Sequence, residues 1–134
     1  MMIYNDYVVT GEDVNDDMEM QNSAYQSYTL RLVYRFLFHN GFSKVKLNAL
    51  HLGLQEKNNV LICYKKLMFT EHFFVEMEHF CIDDKINMKS YFFNSKNECC
   101  AEVTKEVEWF DHIRNEVVST PKNILKHFNQ NSRV

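Results

Sequence analysis

The stretch EDVNDDMEMQNSAY, Glu12 to Tyr25, sets five carboxylates (Glu12, Asp13, Asp16, Asp17 and Glu19) beside the amides of Asn15, Gln21 and Asn22. Carboxylates at this density can take a proton from water, hold a cation, or complement the positive end of a helix that follows them. An amide can orient a reactant, but at neutral pH it neither accepts a proton nor attacks as a carboxylate does. Three uses are therefore open: a solvated acidic loop, a metal site, or an active-site loop.

Other chemistry-bearing residues are sparse. His72, Glu76 and Glu78 alternate along one strand face, where such positions lie ~7 Å apart. With no Cys or His at short metal spacings, no metal is expected. Cys63, Cys81, Cys99 and Cys100 form no C-x-x-C pair, and the vicinal pair suits neither a zinc knuckle nor an ordinary disulfide. They read as reduced, mostly buried thiols. No local Cys–His signature marks a nucleophile. Arg31 and Arg35 stand four apart on a helix, open to surface ion pairs, a partner's carboxylates or a ligand phosphate.

The totals narrow the class. The chain has 134 residues, enough for one domain spanning 1–134 with a real core. Hydrophobic residues make up 46%, which excludes a disordered chain. Only 3 glycines leave little room for a phosphate-cradling loop, and no cofactor is expected. The net charge is −3 with no basic block, which argues against a nucleic-acid partner. The first residues show no secretory pattern, and no apolar run approaches the ~20 residues of a membrane span. A cytoplasmic location is the simplest expectation.

The elements that must position the loop follow from periodicity. A strand is expected around Tyr7–Thr10. In 23–41, Ala24, Tyr25, Tyr28, Leu32, Val33 and Phe36 recur at helical steps. Leu30, Leu37 and Phe38 widen the stripe, so the helix should be enclosed on most sides. Asn22 or Ser23 can cap its start, and Gly41 suits its end. Residues 42–54 carry no clear pattern. Strands are expected at 59–67, 72–80, 86–93 and 99–110, with Asp83-Asp84-Lys85 and Asn94–Asn97 as turns. Phe73, Val75, Met77 and His79 share one face of their strand. So do Ala101, Val103, Val107 and Trp109, with Lys105 as the exception. Short turns between alternating strands imply an antiparallel meander. Pro121 suits the first turn of a short C-terminal helix capped by Ser119 or Thr120. A hydrophobic helix followed by one antiparallel sheet implies an α+β fold in which the curved sheet wraps the helix.

That order resembles the hot-dog fold, and the loop resembles a motif of small acyl-CoA thioesterases of the 4-hydroxybenzoyl-CoA type, E-D-x-D-x-x-G-H-V-N-N-x-x-Y. The spacing matches without a gap, and Glu12, Asp13, Asn22 and Tyr25 match in type. YKKLMFTEHFFVEM is similar to the family's Y-x-x-P-A-x-x-x-D-x-L-x-V stretch. NECCAEVTKEVEWFD resembles its last long strand, ending near Asp111. Pro121 to Ile124 resembles its P-x-x-[IL] tail, so the resemblance spans nearly the whole chain. The departures are in the loop. Asn15 stands where most relatives carry a catalytic Asp, Met18 replaces the Gly, Glu19 the His and Gln21 the first Asn. Enediyne-type hot-dog thioesterases, which act on polyketide chains, also look to have Asn at the position of Asn15.

The resemblance implies an acyl thioester hydrolase acting on acyl-CoA or acyl-carrier protein, with a non-catalytic hot-dog acyl binder as the alternative. A thioester dehydratase or isomerase ranks last, because Met18–Gln21 lacks the expected His. Hydrolysis needs donors for the developing oxyanion and a delivered water. The N–H groups of the loop 16–22, which leads into the long helix, are the candidate donors. Asn15 is the orienter of water or thioester, with Glu19 or Asp16 as the base. Asn22, Tyr25 and Met18 are the expected substrate-binding residues, with Tyr25 also readable as a packing residue of the helix. The family shares its site between subunits, so a homodimer or homotetramer is expected.

Overall fold

The computed structural model describes residues 3–83 and 85–129; Asp84, assigned above to a turn, lies outside them. Helix α1 (Asn22–His39) follows from its spacing: Ala24, Tyr25, Tyr28, Thr29, Leu32, Val33, Phe36 and Leu37 form its buried stripe. It ends at Gly41, whose φ of 92° is left-handed and free of a Cβ penalty.

Two expectations for this helix are corrected. Its N-cap is Gln21, not Asn22 or Ser23, and no side chain caps it. The Gln21 N–H donates to Asp13 O (2.8 Å) and its amide Nε2 to Val14 O (3.1 Å), so the preceding loop sets where the helix begins. Nor is the helix enclosed on most sides. Leu30 is half-buried and Phe38 is 62% exposed, because the sheet covers one flank only.

The patternless segment resolves into a short helix α2 (Lys44–Ala49), capped by Ser43 Oγ accepting from Lys46 N, and the start of a strand. The strands are β1 (Ile3–Val8), β2 (Leu52–Cys63), β3 (His72–Ile82), β4 (Lys85–Asn94), β5 (Cys99–Asp111) and β6 (Glu116–Val118), followed by helix α3 (Lys122–Asn129). They form one antiparallel sheet in the order β1-β3-β4-β5-β2. The meander is thus β3-β4-β5, as the alternation indicated.

Strand β2 begins and ends earlier than 59–67. A register shift between Lys57 and Val60, with Asn58 at φ 53°, breaks its alternation. The short β6 escaped the sequence reading. It pairs with Trp109–Asp111 on the edge left free where β4 stops at the Ile86–Val107 pair, since β2 holds the other edge. Pro121 precedes α3 instead of lying inside its first turn, and its carbonyl accepts from Ile124 N (3.0 Å) and Leu125 N (2.8 Å). No described helix is long and apolar enough to cross a membrane.

The inner sheet face meets α1. Tyr25 packs edge-on against Phe92 (5.1 Å between centroids), Tyr28 against Phe73 (5.1 Å) and Phe36 against His79 (4.7 Å). Burial lowers His79 from the usual imidazole range to about 4, so it sits in the core neutral. Thr29 and Ser90 join helix to sheet through a hydroxyl pair at 2.6 Å. The thiols divide by position: Cys100 is buried, Cys81 and Cys99 are half-buried, and Cys63 is exposed on β2, outside the burial expected of it.

Lys105 does face inward and is 1% exposed. Its ammonium meets the Glu56 carboxylate of β2, which is 23% exposed. Removing Glu56 strands a fully buried ammonium, whereas removing Lys105 leaves a carboxylate that still reaches water, and Met fills the volume of the lost side chain. Glu56→Ala is therefore expected to cost about 3 kcal/mol or more, and Lys105→Met about 1 kcal/mol or less. Urea denaturation of the two variants checks this, and equal losses would show that the pair does not hold β2 to β5.

Candidate active site

The acidic loop is a small hairpin. Val14 and Met20 pair as an antiparallel bridge, and Asn15 N donates to Glu19 O (2.9 Å). Between them Asn15 O accepts from Met18 N (3.0 Å), leaving Asp16 and Asp17 exposed at the tip. A tight turn followed by a left-handed residue is a standard three-residue hairpin connection. Met18 is that residue, at φ 64°. This gives a physical reason for the Gly in the thioesterase motif, since a side chain there costs about 1 kcal/mol or more.

Asn15 organises this hairpin. Its Oδ1 accepts from Asp17 N and Glu19 N, both at 3.0 Å. With the oxygen committed to the backbone, the Nδ2 group faces outward as a donor. Met20 is buried and Val14 packs on the core, so alternation places Asn15 and Glu19 on the hairpin's other side.

Asp13 anchors the hairpin to α1. It is 8% exposed, and its Oδ2 accepts from Tyr28 Oη (2.6 Å), Thr10 N (2.9 Å) and Thr10 Oγ1 (3.0 Å). Burial, and then the bond to Asp13, push the Tyr28 phenol up to about 12, so it stays a proton donor. Tyr25 is fully buried and its hydroxyl accepts from Leu67 N (3.2 Å). Burial raises this phenol well above its ordinary value. The Leu67 segment is tied back to the hairpin by Met20 N→Leu67 O (2.8 Å) and Phe69 N→Met18 O (2.9 Å).

A depression of about 390 Å³ opens where hairpin and helix meet, lined by Asn15, Met20, Gln21, Asn22, Ser23 and Lys66. The first N–H groups of a helix have no carbonyl one turn back. Here these are Asn22 and Ser23, whereas Ala24 N already donates to Gln21 O (3.0 Å). Anionic charge in this depression would meet N–H donors and the positive helix end together.

Of the residues singled out in the sequence, Asn15 and Asn22 come together here. Glu19 and Asp16 sit on the hairpin but do not line the depression, Met18 is exposed next to Met68 and Phe69, and Tyr25 lies in the core. Ser23, Met20, Gln21 and Lys66 were not foreseen as lining residues. Lys66 reaches the site from the β2–β3 connection, with no local motif to announce it. Arg31 and Arg35, open in the sequence to surface ion pairs, a partner's carboxylates or a ligand phosphate, make no ion pair among the described residues; Arg31 stacks over the Tyr28 ring at 4.5 Å.

No protein-family model and no curated protein sequence matches the chain. Solved structures do. A hypothetical protein from Staphylococcus aureus in complex with CoA superposes with a TM-score of 0.87 at 14% identity, covering 100% of this chain and 87% of that one. The Dynemicin thioesterase superposes with a TM-score of 0.85 at 16% identity, over 100% of this chain and 99% of its own. A gentisyl-coenzyme A thioesterase gives 0.80 at 15% identity, over 91% and 98%. Likeness of this extent at such low identity is a likeness of backbone, and with α1 laid across an antiparallel sheet it establishes that the chain has the hot-dog fold.

Proposed function

We propose that the protein hydrolyses an acyl thioester carried on coenzyme A or on a carrier protein. The observation that supports this is the open start of α1 beside Asn15, set in a fold that superposes along almost its full length on thioesterases. The thioester carbonyl would lie in the depression against Asn22 N and Ser23 N. Asn15 Nδ2 supplies a further donor, since its Oδ1 is engaged. Preorganised donors of this kind lower a barrier by roughly 3–4 kcal/mol.

The water is the second requirement. In this reading Glu19, with Asp16 as second candidate, takes a proton as the water oxygen bonds to the thioester carbon. The tetrahedral oxyanion then collapses with cleavage of the C–S bond, and the departing sulfur receives the proton from the same carboxylate. Met18 and Asn22 remain the proposed substrate contacts, whereas Tyr25, fully buried, serves the site only through the Leu67 segment it holds.

Strand β2 is a sheet edge of 12 residues paired only with β5. Such an edge invites a second strand. A homodimer, or a tetramer of dimers, completes the site in this reading, with a cytoplasmic location.

Separate Asn15→Ala and Glu19→Gln variants are expected to lower kcat for an acyl-CoA by about 10²-fold or more. Asn15→Asp keeps an acceptor for Asp17 N and Glu19 N, so it should match the parent in thermal stability, while Asn15→Ala loses about 1 kcal/mol. Unchanged rates in both Asn15→Ala and Glu19→Gln would remove these roles. A hydrolysis panel over acyl-CoA chain lengths, read by free thiol, should find at least one substrate; zero turnover with a retained ligand-induced thermal shift would favour the non-catalytic binder. Light scattering should give two or four times the 16.1 kDa chain mass, and a monomer would count against a shared site.

A further inference from the structure

Charge in this protein is segregated by layer. From Gln21 to Gln55 the sequence holds four cations (Arg31, Arg35, Lys44 and Lys46) and no Asp or Glu, although the whole chain is net −3. The six ion pairs among the described residues use Lys57, Lys65, Lys85, Lys89, Lys105 and Arg114, all on the sheet or its connections. None of the four helical-layer cations takes part. Four cations that make no ion pair among the described residues, carried by an otherwise acidic protein, favour a local anion-attracting field.

Two of these cations line a cavity. A depression of about 390 Å³ on the outer flank of α1 is bounded by Ser27, Leu30, Arg31, Tyr34 and Lys44. The Arg31 guanidinium lies over the Tyr28 ring at 4.5 Å, and Lys44 Nζ over the Tyr34 ring at 4.4 Å. Ring contacts of this kind hold the charged heads in place without pairing them with a carboxylate.

The depression also lies in line with the candidate active site. Ser23, Ser27, Arg31 and Tyr34 follow one another at four-, four- and three-residue steps, which places them on one helix face. Ser23 belongs to the active-site depression and Ser27 to this one, one turn further on. From Ser23 to Arg31 is about 12 Å along the axis at 1.5 Å per residue. A long thioester laid along this face has its sulfur at the helix start and its distal groups at the cations.

We propose that the Arg31–Tyr34–Lys44 depression binds the nucleotide phosphates of a coenzyme A thioester. This inference rests on the thioester-hydrolase reading of the helix start. Arginine and lysine are the residues suited to phosphate, by forked and point-charge donation respectively. Coenzyme A brings a diphosphate and a separate ribose phosphate, several anionic groups for the two lining cations, Arg31 and Lys44, to meet. The prosthetic arm of a carrier protein brings a single phosphodiester.

The test compares the parent with the double variant R31Q/K44Q, both sites being exposed on the folded chain. Each is assayed on one acyl-CoA, on the same acyl group attached to N-acetylcysteamine, which lacks all phosphates, and on the same acyl group attached to a carrier protein. Binding of free coenzyme A is measured separately by calorimetry. The expected result is a tenfold or greater rise in KM for the acyl-CoA, a change under twofold in kcat/KM for the truncated thioester, and a matching tenfold loss of coenzyme A binding. An equal loss on both small thioesters, no loss on either, or a loss confined to the carrier-bound substrate overturns the proposal. If neither protein hydrolyses any thioester, the hydrolase reading fails while the calorimetry still decides the site. Coenzyme A binding by the parent that the variant loses upholds it, and equal or absent binding overturns it.

Discussion

The burial of one stripe of α1 governs everything else in this structure. Tyr25, Tyr28, Leu32, Val33, Phe36 and Leu37 must leave water together, and a single helix cannot shield them. Four long antiparallel strands supply the cover, with β3, β4 and β5 turning alternate residues inward. Full burial of a side chain of this size contributes roughly 1.5–3 kcal/mol, so the sum outweighs the polar groups carried inside with them. The register is set by the same demand. A slip of one residue would turn Phe73, Val75 and Met77 out and Glu76 and Glu78 in.

The polar groups inside are placed where they tie layers together. Thr29 and Ser90 satisfy one another across the helix–sheet boundary, and Lys105 is matched by Glu56 from the edge strand. The outer face of the sheet is held differently. Tyr64 donates to Glu102 (2.8 Å), Lys89 meets the same carboxylate (3.2 Å), and Tyr91 donates to Glu78 (3.1 Å), a chain that crosses from the end of β2 to β3. Each exposed link is worth little by itself. Together they cover the sheet with opposed charges, so its carboxylates are largely answered locally while the cations of the helical layer are not.

Asp13 shows how the core reaches the candidate site. Its carboxylate is buried between Thr10 and Tyr28, so the hairpin that carries Asn15 is fastened to the same stripe that defines the fold. Tyr25 fastens the opposite side by holding Leu67, whose carbonyl accepts from Met20 N. The site is therefore a consequence of packing. Its donors are backbone groups together with the Asn15 amide, and their positions are set by two buried phenols.

Helical spacing and strand alternation located α1, β3, β4 and β5 closely, because both periods are written in consecutive side chains. They placed β2 poorly and missed β6. An edge strand with a bulge need not alternate, and three residues are too few to show a period. The loop motif identified Asn15 and Asn22 as neighbours of a helix start, and it flagged Met18 as the residue occupying a glycine's place. It could not show that Asn15 Oδ1 is spent on two backbone N–H groups, that Tyr25 is a core post, or that Lys66 closes the depression. Those are distances between segments far apart in the chain. The sequence by itself determined which residues must be buried and which backbone positions must turn. Only the tertiary structure decided which of the remaining polar groups still face an open depression, because that depends on what the burial of all the others left uncovered.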